Sequence, residues 1–159
     1  MTGNPAAGSS IAIPNPPDGH QQNVGVLLFV SYREMENQVL AAIRAADYVD
    51  ITLAQARIFQ RIGPQGSRLT QLAEQAQVTK QTAGFLVDQL ERAGYVERVP
   101  DPRDARARLI RVAERGRALQ GVAGAALAAV EQQWAAHLGV RKWAGLRSAL
   151  EQLRELTDP

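Results

Sequence analysis

Apolar residues recur along this chain with two periods, and the places where the period changes mark its elements. From about Val24 to Ala46, Leu27, Val30, Met35, Val39 and Ile43 fall near helical spacing, which predicts an amphipathic helix. Tyr48-Val49-Asp50 breaks it. Thr52 then caps a short helix through about Ile62, with Leu53, Ala56, Ile58 and Phe59 as its apolar residues, and Gly63-Pro64-Gln65-Gly66 ends it. Leu69-Thr70 and Val78-Thr79 each set a threonine cap behind an apolar residue, which predicts two helices joined by a brief polar turn. In the second of these, Ala83, Leu86, Val87, Leu90 and Ala93 form one stripe, and Gly94 supplies the left-handed residue that closes it.

The period then drops to two. Tyr95 to Val99 alternates as a strand, Pro100-Asp101-Pro102-Arg103-Asp104 is expected to interrupt it, and Arg108 to Val112 returns as a second strand. Helical spacing resumes from Ala113 to about Leu138, with Leu119, Val122, Ala126, Val130 and Trp134 on one stripe. After Gly139 it continues from Arg141 to about Leu156 through Trp143, Leu146, Leu150, Leu153 and Leu156. Met1 to about Gln22 is rich in Pro, Gly, Asn and Ser and cannot bury enough apolar surface to offset its ordering entropy, so it reads as a flexible tail.

The order helix, turn, helix, strand pair predicts the fold class: mainly α with a small β-wing, a winged helix-turn-helix with N- and C-terminal dimerisation helices. The expected organisation is a tail over 1–22, an N-terminal dimerisation helix over 23–47, a DNA-binding domain over 48–113 and C-terminal dimerisation helices over 114–159. The terminal stripes, anchored by Trp134 and Trp143, are too extensive for so small a wing domain to cover, which points to a homodimer.

Charge sharpens this picture. The formal net charge is only +2, yet Arg57 to Arg117 carries 12 Lys/Arg against 7 Asp/Glu, while the rest of the chain carries 6 against 9. Positive charge is concentrated in the predicted reading segment, which favours an anionic partner such as phosphate. On a helical wheel, Lys80, Gln81, Thr82, Phe85 and Gln89 lie opposite the apolar stripe. Gln pairs with adenine edges, Thr or an aromatic ring touches thymine methyls, and Thr79 with the free amides beside it suits a phosphate. An isolated helix with such a face would be an ordinary solvated surface; the caps, the partner helix and the wing favour DNA.

Arg103, Arg106 and Arg108 crowd the wing among Asp101 and Asp104, where carboxylates are expected to hold guanidinium groups in position. Arg68 heads the reading segment and joins the DNA-contacting set. Tyr48, Asp50 and Arg57, at the junction with the first helix, are read either as a structural hinge or as the lining of an effector pocket.

Other functions find little support. Zero cysteines excludes a disulfide framework and thiolate metal sites. Only His20 and His137 are present, with no nucleophile triad, phosphate-cradling glycine loop or metal-ligand spacing, so no enzyme, metal or cofactor is expected. The longest apolar run, Val24 to Val30, is too short to span a bilayer, and no cationic segment precedes it, so a cytoplasmic protein without a membrane partner is expected.

The segment QLAEQAQVTKQTAGFLVDQLERAGYVERVPDPRDARARLIRVAERGRAL resembles the winged helix-turn-helix of the MarR family of bacterial transcriptional regulators, and the DPRDARAR loop after AGYVER is its most diagnostic part. The resemblance implies an obligate homodimer in which the terminal helices interlock, a pseudo-palindromic double-stranded operator, and a repressor released by a small lipophilic or aromatic ligand. It places Thr79, Lys80, Gln81 and Thr82 at bases and phosphates, Arg103 and Arg106 at the wing tip, and Asp101 and Asp104 in the orienting role. Many members carry a polar residue and then Arg where this chain has Gly84-Phe85. Gly84 suggests close approach of its backbone to DNA or a neighbour, and Phe85 either a thymine-methyl contact or packing. The alternative is a winged helix that binds protein partners or acts as a non-specific architectural DNA-binding protein.

Overall fold

The computed structural model describes residues 22–157; the expected tail, with His20, lies outside them. The described residues fall into two units divided between Glu36 and Asn37. The first unit is the N-terminal part of helix α1 (Val24–Ala45), whose start is held by Asn23 Oδ1 accepting from the Val26 N–H at 2.9 Å. Within it the Arg33 guanidinium lies 5.7 Å from the Phe29 ring centroid, and Val24, Leu27 and Phe29 are exposed.

The second unit holds the end of α1 followed by α2 (Leu53–Phe59), β1 (Ser67–Arg68), α3 (Leu69–Gln75), α4 (Lys80–Arg92), β2 (Val96–Asp101), β3 (Asp104–Val112), α5 (Glu114–Leu138) and α6 (Val140–Thr157). Thr52 caps α2 through a capping box: its hydroxyl accepts from the Gln55 N–H at 3.3 Å, and the Gln55 side chain accepts from the Thr52 N–H at 2.7 Å. The expected helix to Ile62 stops at Phe59, and the chain turns through Gln60–Ile62.

Three helices stop in the same way. Asp47, Gln77 and Gly94 each take a positive φ (66°, 55° and 77°), and the next amide bonds back five residues, Tyr48 to Ile43, Val78 to Ala73 and Tyr95 to Leu90. Each is a Schellman turn, which satisfies end carbonyls and folds an apolar residue back onto the core. The middle one makes the turn between α3 and α4.

The wing differs from the sequence expectation in three respects. A third strand exists: β1 pairs antiparallel with β3, Ser67 opposite Ile110 and Arg68 opposite Leu109, giving the order β1-β3-β2. Because β1 runs straight into α3, the helix begins at Leu69 with Arg68 as its N-cap residue, not Thr70, and the Gln71 side chain accepts from the Arg68 N–H at 2.9 Å. Finally, Pro100 and Asp101 continue β2. That strand is at the sheet edge, where a missing N–H costs no ladder bond. The register shifts between Pro100 and Asp101, so that Asp101 faces Asp104 across the two-residue tip Pro102-Arg103.

One apolar core joins α2, α3, α4 and the sheet. Ile58, Leu72, Val87, Leu90 and Ile110 are almost fully buried, and so is Tyr95, which meets Phe59 edge to face. Burial of this kind contributes roughly 1.5–3 kcal/mol per large side chain. Leu119 extends the core onto α5.

Candidate nucleic-acid interface

Helix α4 is fixed before it presents anything. Ala83, Leu86, Val87 and Leu90 are buried against the core. At its start the Thr79 hydroxyl accepts from the Thr82 N–H at 3.1 Å and lies 2.8 Å from the Thr82 hydroxyl. On its far side Arg98 of β2 pairs with Asp88 at 2.5 Å and with Glu91, which binds the helix to the wing. What remains turned to solvent is Lys80, Gln81, Thr82 and Phe85, the last 58% exposed. Gln89 leaves that face: it accepts from the buried Gln55 Nε2 at 2.9 Å and ties α4 to α2.

Within the chain, Gly84 makes no close approach to a neighbouring element. A Cβ there would meet only Leu69 Cδ2 at 3.7 Å, an ordinary contact with α3.

The wing is built around Asp101, whose carboxylate is 5% exposed. One oxygen accepts from the Arg103 N–H at 2.9 Å, and the other from Arg68 Nε at 2.9 Å and Nη2 at 2.6 Å. These bonds, the Arg103 amide first and the Arg68 guanidinium next, hold its pKa below the ordinary 3.8. Asp104 accepts from the Arg106 N–H at 3.1 Å and stands 3.6 Å from the Arg68 guanidinium. The two aspartates therefore hold the guanidinium of Arg68 and the backbones of Arg103 and Arg106. The side chains of Arg103, Arg106 and Arg108 are exposed and make no ion pair among the described residues. Arg68, expected at DNA, has its fork engaged by the wing.

The junction residues divide. Asp50 accepts from the Tyr95 hydroxyl at 2.6 Å and from Arg115 at 2.7 and 2.9 Å; Tyr48 lies 6.3 Å from Tyr95 between ring centroids. Arg115 first, then Tyr95, lowers the Asp50 pKa, while burial and then Asp50 push that of Tyr95 well above its usual range. Arg57 is exposed in the last turn of α2. Sequence reasoning missed Tyr95 and Arg115: their shared partner lies 45 and 65 residues away along the chain, and nothing local signals it.

No group of three or more His, Asp or Glu side chains that could hold a metal exists among the described residues, and no described helix is long and apolar enough to cross a membrane.

Comparison with known proteins follows this geometry closely. Residues 49–107 match the family model described as MarR family. No curated protein matches the chain's sequence. Among solved structures, wild-type MarR from Escherichia coli is similar at 21% identity and TM-score 0.66, covering 84% of this chain and 98% of that one. A MarR family protein of Mycobacterium tuberculosis in complex with salicylic acid matches at 26% identity and TM-score 0.62, covering 84% and 98%. CouR from Rhodococcus jostii bound to p-coumaroyl-CoA matches at 22% identity and TM-score 0.68, covering 86% and 93%. Residues 49–107 thus match the MarR family model, and the winged-helix fold of this chain is similar to that of these regulators over most of its length.

Proposed function

We propose that this protein is a homodimeric, sequence-specific DNA-binding regulator of transcription, a repressor that a small lipophilic or aromatic ligand releases from a pseudo-palindromic operator in the cytoplasm. The observation that carries the reading is the solvent-facing start of α4, with Lys80, Gln81, Thr82 and Phe85 beside a wing whose three exposed arginines make no ion pair among the described residues. In this reading the unit 48–113 meets DNA. Gln81 and Thr82 contact base edges, Phe85 a thymine methyl, and Thr79 and Lys80 phosphates, while Arg103, Arg106 and Arg108 grip the backbone or the minor groove.

The helices over 23–47 and 114–159 supply the dimer. Leu146, Leu150 and Leu153 of α6 support this, since each is more than a third exposed in the single chain. Salicylic acid and p-coumaroyl-CoA in the two neighbours support an aromatic acid or its thioester as effector. The engagement of Asp50 by Tyr95 and Arg115 favours the hinge role for Tyr48 and Asp50 over a pocket lining.

The test is a titration of labelled duplexes selected from a random pool, at two salt concentrations, with the mass of the complex measured. A dimer on one duplex is expected, with affinity falling steeply as salt rises because each neutralised phosphate releases counterions. A monomeric complex, or binding indifferent to salt, overturns the reading.

A further inference from the structure

At the start of α5 a cation stands where the helix field opposes it. Arg115 is the second residue of a 25-residue helix, beside amides whose partial charge is positive. Its guanidinium reaches away to other elements. It forks onto Asp50 at 2.7 and 2.9 Å, donates to the carbonyl of Ala93 at 2.6 Å, and lies 4.3 Å from the Tyr95 ring centroid. Ala93 is the C-cap residue of α4, Tyr95 leads into β2, and Asp50 sits in the turn between α1 and α2. One side chain thus joins the end of the recognition helix to the head of α5 and to the turn before α2.

The pair is too open to be explained by stability. The side chains of Arg115 and Asp50 are 40% and 43% exposed, and an ion pair that open adds little to folding. What a planar, bidentate fork supplies is direction. The segments flanking the two helices already meet: the Ala113 N–H donates to the Tyr95 carbonyl at 3.0 Å, and a Cβ on Gly116 would come within 2.2 Å of that same oxygen. Farther along α5, Leu119 is buried in the core that α4 lines. To these apolar and backbone contacts Arg115 adds a directional tie to the last turn of α4 itself.

We propose that Arg115 is a positioning residue that, with Asp50 and the Ala93 carbonyl, fixes the angle between the recognition helix and α5. The consequence for DNA, a fixed spacing between the half-sites read by a dimer, rests on the function proposed above.

The chain has no cysteines, so nitroxide labels on Lys80→Cys and Gln120→Cys report the α4–α5 distance by pulsed electron resonance, in protein diluted with unlabelled chains. A narrow distribution is expected, broadened by Arg115→Gln and equally by Arg115→Lys, which keeps the charge but cannot fork Asp50 while reaching Ala93. Leu72→Val, a core variant that also lowers thermal stability, should leave the width unchanged. A wild-type width in Arg115→Gln, or its recovery in Arg115→Lys, overturns the proposal. If Arg115→Gln fails to fold, Arg115→Lys alone decides. In the unlabelled protein, Arg115→Lys should flatten the dependence of affinity on half-site spacing while leaving base preference intact; a retained spacing preference overturns the stated consequence. Should the wild type bind no duplex, the DNA-binding proposal fails, and the distance measurement still decides the role of Arg115.

Discussion

Helices α4 and α6 carry apolar stripes of the same kind and meet different fates. Ala83, Leu86, Val87 and Leu90 of α4 are buried by α2, α3 and the sheet. Helix α6 packs along α5 and buries none of its residues completely; Leu150 and Leu153 stay 42% and 45% exposed. A stripe at helical spacing states that a helix has a face to cover, and says nothing of whether the cover comes from the same chain. The stripe of α4 is covered within one chain, whereas that of α6 stays partly exposed.

Matched truncations on the two stripes should separate these cases most widely. Leu90→Ala is expected to cost the fold roughly 2–5 kcal/mol, from lost burial and the cavity left behind. Leu150→Ala should leave most of the fold intact and weaken self-association about tenfold. Urea denaturation and sedimentation at several protein concentrations measure both. Equal loss of fold stability from the two, with association unchanged in Leu150→Ala, would abolish the distinction.

The wing sharpens the comparison at the next magnitude down. Because it is finished by contacts inside the chain, damage to it should reach DNA without reaching the dimer. Asp101→Ala frees Arg68 and the Arg103 amide, and should weaken operator binding about tenfold although it deletes a negative charge near phosphate. Asp104→Ala, which caps one amide and stands farther from Arg68, should lose less. Pure charge counting predicts tighter binding for both, so a titration of either variant decides by sign.

The smallest expected effect concerns Gly84. Its site accepts a methyl group against Leu69, so Gly84→Ala should stabilise the reading unit by roughly 0.5–1 kcal/mol through helix propensity, with DNA affinity unchanged. A thermal melt and one titration check it. A fall in affinity would show a close approach of this backbone to DNA.

What the sequence made legible was local. Thr52 and Thr79 announced their helices because a cap and its bonds lie within four residues, and Gly94 announced an end for the same reason. Gln77 carried no such signal, since a glutamine with positive φ is unusual and its turn is held by the packing of Val78. Strand β1, two residues long, is too short to show a period. The aspartates of the wing were assigned to arginines by proximity in sequence. The arginine that Asp101 holds lies 33 residues back and is brought there by the β1–β3 pairing. The Asp50 cluster was hidden for the same reason, as it joins three elements that only the folded core assembles.

The missing side chain of Gly116 has a further consequence. A single methyl there would collide with the Tyr95 carbonyl oxygen, with Val112 and with Phe59, so the seam between wing and long helix has no slack in which the two could slide. Any bending between wing and α5 would therefore fall outside this seam, at the turn around Asp47 or in the body of α5, where Gly121 and Gly124 have no neighbour within 4 Å of where a Cβ would stand.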